Sequence, residues 1–269
     1  MIYNIDCLKG LESLEDNTID MVFTSPPYAQ QRKDTYGGID STEYVSWFLP
    51  IAREISRVLK PTGSFFLNIK EHTVKKTKYK STYVKELVYR LCTETDLNEV
   101  DTLVWTKNGF PGKPYTRFKN GWEPIYHFAK YHRIKMHPER VMVPLKEATY
   151  RRIKNKYSGA SNNNSGMIQP RFENFKGKTK AYPSNVIHVD NIINAYSPNK
   201  WHPATFPKKL VEFFIMTYTD EGDLVLDPFA GSGTVGVVCK ETNRDFIGYE
   251  LNKDYCEKIK ETIGLEVDI

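Results

Sequence analysis

The sequence predicts an α/β fold, with helices covering a mostly parallel sheet and one basic insertion interrupting it. Three observations carry this expectation. Short apolar runs such as Ile19–Phe23 and Leu224–Leu226 read as buried strands. Segments with helical spacing alternate with such runs toward both ends of the chain. Between about 130 and 199 the periodicity fades and polar residues dominate. The 269 residues allow one large domain or one domain with a sizeable insertion. Apolar residues at 40%, charged residues at 26% and a mean hydropathy of −0.53 exclude wholesale disorder. No apolar run reaches the ~18 residues a bilayer span needs, and Met1–Asp6 lacks the basic-then-apolar build of a secretory signal. Cys7, Cys92, Cys239 and Cys256 are too scattered for a disulfide framework or a paired-cysteine metal site. A reduced, cytoplasmic setting without membrane contact is expected.

The elements follow in order. A short strand and a polar helix come first. The strand Ile19–Phe23 stops at Thr24-Ser25-Pro26-Pro27-Tyr28, because successive prolines do not fit inside a central strand. Residues 29–41 read as a mobile loop. Tyr44, Trp47, Phe48, Ile51, Ile55 and Val58 give Glu43–Leu59 helical spacing, closed by Lys60-Pro61-Thr62-Gly63. Ser64–Ile69 is the next strand, Thr82–Thr93 a helix, Glu99–Lys107 an alternating strand and Pro124–Ala129 another. Ser158–Gly166 is a low-complexity loop. Order returns with a helix at Pro207–Thr219, a strand at Asp223–Leu226, a glycine turn and a helix near Thr234–Thr242. A strand at Phe246–Glu250 and a helix at Lys253–Ile263 complete the pattern.

Net charge is +5, and its distribution says more than its total. Residues 107–182 hold 17 Lys and Arg against four Glu, a local +13 that leaves −8 for the rest. A polyanion suits such a segment, since phosphate neutralisation drives nucleic-acid affinity. A solvated lysine-rich surface accounts for the charge equally well.

Asp227-Pro228-Phe229-Ala230-Gly231-Ser232-Gly233-Thr234 links a strand to a helix start through glycines, which let the backbone approach a ligand. Neither the GxGxxG fingerprint nor a GK[ST] phosphate loop is present. Glu250 lies 23 positions after Asp227, at the end of the next strand, where an acid hydrogen-bonds ribose hydroxyls. An adenosine-type cofactor is therefore expected over a free phosphate. Thr24–Tyr28 sits at the carboxyl edge of the sheet, where α/β proteins bind ligands. Its prolines fix a carbonyl and the Ser25 hydroxyl near one point, beside the flat face of Tyr28. That set suits a planar ring bearing an exocyclic amine, although an isolated turn of this kind is more often structural.

Together these residues resemble the amino-group DNA methyltransferases of permuted (β) order, in which the catalytic motif precedes the cofactor motif. Ile5-Asp6-Cys7-Leu8 is similar to the strand end that meets the cofactor adenine, and Thr24–Tyr28 to the catalytic motif. Leu103–Lys107 through Glu123 resembles the approach to target recognition, and His202-Pro203-Ala204-Thr205-Phe206-Pro207 the segment flanking the methionine end of the cofactor. The resemblance implies a Rossmann-like, circularly permuted sheet binding S-adenosyl-L-methionine. It divides the chain into a catalytic half (1–130), a target-recognition insertion (131–199) and a cofactor-binding half (200–269). Catalysis falls to Ser25, Pro26, Pro27 and Tyr28. Cofactor contacts fall to Asp6, Cys7, Thr24, His202, Ala204, Phe206, Asp227, Pro228, Phe229, Gly231, Ser232, Gly233, Thr234 and Glu250. Lys107, Arg117, Arg151, Arg152, Lys154 and Lys156 are the expected DNA contacts.

In this family Ser before Pro-Pro-Tyr is typical of N4-cytosine enzymes and Asp of N6-adenine enzymes, so N4-cytosine ranks first and N6-adenine second. The implied activity is site-specific methylation of a base flipped out of duplex DNA. A non-catalytic nucleic-acid-binding relative and an RNA-modifying enzyme are the competing readings. No nucleophilic cysteine follows the prolines, and the histidines show no metal-ligand spacing. Three residues also have plain structural readings: Trp105 as core, Glu123 as a surface acid, and Asp6 as a helix cap. A homodimer and a separate cognate restriction endonuclease stay open as partners.

Overall fold

A computed structural model describes residues 1–30, 38–74, 76–107, 118–154, 178–190 and 205–268, with only the backbone of 150, 152–154, 262 and 263. Among the described residues nine strands form one sheet. They are β1 (Ile2–Tyr3), β2 (Ile19–Thr24), β3 (Leu59–Asn68), β4 (Asn98–Thr106), β5 (Trp122–Ala129), β8 (Val186–His188), β9 (Leu224–Asp227), β10 (Asp245–Tyr249) and β11 (Val267–Asp268). Their order is β11-β1-β10-β9-β2-β3-β5-β4-β8, and β6 (Val143–Pro144) pairs with β7 (Lys180–Ala181) in a separate ribbon. From β11 to β3 every pairing is parallel; β5 runs antiparallel to both β3 and β4.

Both faces of the sheet are covered. Helices α1 (Cys7–Glu12), α2 (Tyr44–Val58) and α3 (Tyr83–Glu94) bury Leu11, Phe48, Ile55, Leu87 and Leu91 in one core. A second core joins Leu210 and Phe214 of α5 (Lys208–Tyr218) and Val235 and Val238 of α6 (Thr234–Glu241) to β2, β3 and β9. At the sheet margin α7 (Lys253–Ile263) packs Cys256 and Ile259 against Ile2. Every residue of β2 is buried, as a central strand requires. Among the described residues no helix is long and apolar enough to cross a membrane.

Strands β2 and β9 lie side by side, with Met21 opposite Val225 and Val22 opposite Leu226. From β2 the chain runs through α2 to β3 on one side; from β9 it runs through α6 to β10 on the other. This divergence is the topological switch point at which open α/β sheets bind ligands. It sets the SPPY turn beside the glycine turn.

One expectation changes. The segment 60–63, expected to close the second helix, is instead the irregular start of β3, with a register shift between Ile19 and Met21. The described margins of the expected target-recognition insertion, 131–199, are tied to the sheet domain. The Lys135 N–H donates to the Thr62 carbonyl at 3.0 Å and the His137 N–H to the Thr217 carbonyl at 2.7 Å. The Lys135 ammonium pairs with Asp223 and lies 3.6 Å from buried Asp20. At the far margin β8 adds to the sheet in parallel with β4. Between them, α4 (Glu147–Lys154) and the β6–β7 ribbon are too short to leave a periodic signal. Residues 155–177, including Ser158–Gly166, and residues 31–37 of the 29–41 loop lie outside the described residues.

Candidate active site

The glycine turn leaves β9 at Asp227, whose carboxylate closes the switch point. Thr24 donates its hydroxyl to Asp227 Oδ1 at 2.6 Å, and the Phe229 N–H donates to the same oxygen at 3.1 Å. Gly231 and Gly233 take φ of +53° and +73°, where a side chain is strained. Glu250, 5% exposed, accepts the Gly231 N–H on Oε2 at 2.9 Å and the Asn252 N–H on Oε1 at 2.8 Å. The expected ribose ligand thus also fixes the path of the glycine turn, a role that sequence spacing does not show. Ser232 and Thr234 pair their hydroxyls at 2.9 Å, Pro228 is buried, and the Phe229 ring packs 5.9 Å from Trp47.

Burial raises both acids. It pushes the Asp227 carboxyl up to about 7, with Glu250 adding repulsion and Thr24 opposing. Glu250 rises to about 6, again through burial and against three backbone N–H donors. Unfolded carboxyls titrate near 4, so between roughly pH 4 and 7 the folded chain binds more protons than the unfolded one. The stability these groups contribute is therefore full at low pH and is lost as pH rises through about 6 and 7. Asp227→Asn should make the melting temperature of the cofactor-free protein fall less between roughly pH 5 and 8. Parallel melting profiles for parent and variant would place the titration elsewhere.

Two exposed apolar side chains, Ile5 (36%) and Leu251 (72%), lie on the segments that follow β1 and β10. Asn4 holds their segments together, donating to the carbonyls of Glu250 and Leu251 at 2.9 and 3.1 Å. Apolar surface beside a buried acid and a close-approach turn fits an adenosine moiety, with its flat ring and adjacent hydroxyls. Asp6 caps α1, its Oδ1 accepting the N–H groups of Leu8 and Lys9 at 3.0 and 3.4 Å. Cys7 is buried, which pushes its thiol up to about 12. The Phe206 ring packs 5.0 Å from Phe23, under β2. His202 and Ala204 lie outside the described residues.

The SPPY turn is held from beneath by two tyrosines. Tyr44 donates to the Pro27 carbonyl at 2.8 Å. Tyr83, its ring 4.8 Å from that of Tyr44, donates to the Lys70 carbonyl at 2.7 Å. Pro26 is buried, while Ser25, Pro27 and Tyr28 are half-buried. The Tyr28 hydroxyl lies 3.0 Å from Asn68 Oδ1 and 3.3 Å from Glu123 Oε2. Burial and the Glu123 charge hold that hydroxyl well above the ordinary tyrosine range, so it stays protonated. Asn68 is fixed in turn, its amide donating to the Pro124 carbonyl at 2.9 Å.

Glu123 is therefore part of this site and not a plain surface acid. Lys107, expected at the DNA, is folded inward at 11% side-chain exposure. It pairs with Glu123 and lies 4.3 Å from the Trp105 ring centroid. Lys70 is 3.9 Å from the same carboxylate. Trp105 is core, with its indole N–H donating to the Val189 carbonyl at 2.8 Å. Of the other expected DNA contacts, exposed Arg151 pairs with Glu147 on α4. Arg152 and Lys154 share that helix, while Arg117 and Lys156 lie outside the described residues. All four thiols are raised by burial, Cys256 to about 11, so none is poised as a nucleophile. Sequence reasoning missed Tyr44, Asn68, Lys70 and Tyr83; the ends of β3 and the start of α3 were visible, but not their approach to Tyr28.

A Ser-Pro-Pro-Tyr turn beside a glycine turn and its buried acid, on one switch point and in this chain order, is the arrangement of an amino-group methyltransferase using S-adenosyl-L-methionine. The chain belongs to the DNA methylase family, whose model matches residues 19–261. It is 31% identical to the type II methyltransferase M.PvuII of Proteus hauseri, over 94% of this chain and 80% of that one. It is 32% identical to M.HpaI of Haemophilus parainfluenzae, over 97% of this chain and 73% of that one. Among solved structures, the PvuII DNA methyltransferase (cytosine-N4-specific) superposes with a TM-score of 0.73 at 26% identity, covering 99% of this chain and 94% of that one. A DNA modification methylase of Thermus thermophilus, complexed with S-adenosyl-L-methionine, shares the fold at a TM-score of 0.65 and 18% identity, covering 99% of this chain and 96% of that one.

Proposed function

We propose that the chain methylates the exocyclic N4 amine of cytosine at a specific site in duplex DNA. The observation that carries this reading is Ser25, a hydroxyl where the N6-adenine relatives carry a carboxylate; the similar PvuII enzyme, named as cytosine-N4-specific, supports it. S-adenosyl-L-methionine, when bound, supplies a methyl group activated by its positive sulfur. Glu250, Asp227, the Gly231–Gly233 turn and the Asp6–Cys7 strand end would hold it. The protein's own work is positioning. An aromatic amine is a poor nucleophile because its lone pair is delocalised into the ring. Accepting hydrogen bonds from its N–H groups favours a tetrahedral, attacking nitrogen. The Ser25 hydroxyl, beside the Tyr28 ring in the same turn, has two lone pairs to offer the amine. The Pro26 carbonyl offers a second acceptor, and the Tyr28 ring a stacking face for a flipped base. The proton shed by the amine has its acceptor in the Glu123 carboxylate, to which the Tyr28 hydroxyl already donates.

Target recognition is assigned to the basic range 131–199, with the methyltransferase halves at 1–130 and 200–269. A cytoplasmic setting, a homodimer and a companion restriction endonuclease belong to the same proposal; M.PvuII and M.HpaI are named as type II methyltransferases. Duplex binding should weaken steeply with salt. Six neutralised phosphates give a slope of log K against log salt of about −5. Replacing Arg151, Arg152, Lys154 and Lys156 together should flatten it, and a slope near zero in the parent would reduce the basic middle to a solvated surface. The test of the target base is direct. DNA methylated by the protein is digested to nucleosides and weighed by mass spectrometry; N4-methylcytosine is expected, and N6-methyladenine would overturn the assignment.

A further inference from the structure

The stretch after β3 was not among the expected DNA contacts. Residues 70–85 carry six lysines against one acid, Glu71, in the part of the chain that is otherwise net acidic. This stretch folds into a tight hairpin. Thr73 and Lys80 form a bridge, the Val74 N–H donates to the Tyr79 carbonyl at 2.9 Å, and the Lys78 N–H donates to the Val74 carbonyl at 2.9 Å. At the root the Ser81 N–H donates to the His72 carbonyl at 2.9 Å, and Ser81 Oγ accepts the His72 N–H at 3.2 Å. Residues 76–80 are all exposed, and the Tyr79 ring is 77% exposed between lysines.

The root is also part of the active-site wall. The Lys70 carbonyl takes the Tyr83 hydroxyl, and the Tyr83 ring packs 4.8 Å from that of Tyr44, which holds the Pro27 carbonyl of the SPPY turn. Lys70 itself lies 3.9 Å from the Glu123 carboxylate that meets Tyr28. The hairpin therefore rises from the carboxyl edge of the sheet, next to the place where a target base would enter. Lys80 has only a 3.7 Å contact with Glu71, at 51% exposure, which a phosphate can outcompete.

We propose that the 72–81 hairpin is a second DNA-binding element, gripping the sugar-phosphate backbone beside the target nucleotide. Lys76, Lys78 and Lys80 meet phosphates, and Tyr79 packs on a nucleotide face exposed when the base leaves the stack. This rests on the duplex-DNA reading. A lysine hairpin anchored beside the catalytic turn converts phosphate contacts into register for the base.

Duplex binding as a function of salt tests it, on the parent, on K76A/K78A/K80A and on the corresponding triple arginine variant. The alanine triple should have a shallower slope by about 0.9 for each lost contact, up to about 2.7. The arginine triple should keep the parent slope. S-adenosyl-L-methionine affinity should be unchanged in both. Tyr79→Ala should weaken binding without altering the slope, and unchanged binding there would remove the ring from the proposal. Should the alanine triple melt early, Lys76→Ala alone carries the test, with a change of about 0.9. A steep parent slope matched by the alanine variants overturns the hairpin and leaves the duplex-DNA reading standing. A salt-independent parent that methylates no DNA overturns both.

Discussion

Ser25→Ala and Tyr28→Ala should bind S-adenosyl-L-methionine nearly as the parent does while losing most single-turnover methyl transfer to duplex DNA. Ser25→Ala removes an acceptor for the amine and leaves the proline-fixed backbone, still held through the Tyr44 bond to the Pro27 carbonyl. A hydrogen bond to a group gaining charge is worth about 1.5–3 kcal/mol, or roughly 10–150-fold in rate. Tyr28→Ala deletes the stacking face, worth ~1–3 kcal/mol where bases stack on aromatic rings. It also deletes the hydroxyl that meets Glu123 and Asn68. Tyr28→Phe should retain much more activity than Tyr28→Ala, because the ring contributes more than the hydroxyl. Cys92→Ser and Cys256→Ser should stay active, since no thiol attacks the base. Wild-type single-turnover rates in both Ser25→Ala and Tyr28→Ala would make the turn structural and end the proposed mechanism.

The parts of this site that were legible in the sequence are those whose chemistry is local. Two prolines after an apolar strand announce a rigid turn whatever the rest of the chain does. Glycines between a strand and a helix start announce a close approach, and Glu250 follows at strand spacing. Glu123 was not legible in the same way. It reaches Tyr28 only because β5 runs antiparallel to β3, which sets Leu67 opposite Tyr126 and Asn68 opposite Ile125. Nothing local in Trp122-Glu123-Pro124 encodes that pairing. Lys107 was counted with the charge of the basic middle; just past the end of β4 it lies over Trp105 and pairs with Glu123, a placement that its local sequence does not encode. The strap at 132–141 escaped notice because its ties are backbone bonds and an ion pair to residues more than seventy positions away, with no apolar periodicity. Charge totals identify a class of partner; only the sheet register decides which cations face it.

Glu250→Ala and Gly231→Val should each sharply weaken S-adenosyl-L-methionine binding in a chain that still folds. For Glu250→Ala two losses add. The ribose hydroxyls lose a charged acceptor, worth about 1.5–3 kcal/mol. The Gly231 and Asn252 N–H groups lose the oxygens that orient them at 2.9 and 2.8 Å, so the turn itself loosens. Glu250→Gln separates the two: its single carbonyl oxygen can hold one N–H group, and its affinity should lie between those of the parent and the alanine variant. Gly231→Val forces a β-branched residue to φ +53° and puts a side chain where the backbone should meet the ligand. Removing a buried carboxyl raised to about 6 also relieves its desolvation cost. Glu250→Ala should therefore melt no lower above neutral pH than below it, relative to the parent. Calorimetric titration with S-adenosyl-L-methionine, alongside melting curves, reads both effects. Parent-like affinity in correctly folded Glu250→Ala and Gly231→Val would move the cofactor away from this turn, and with it the methyl group from the Ser25 pocket.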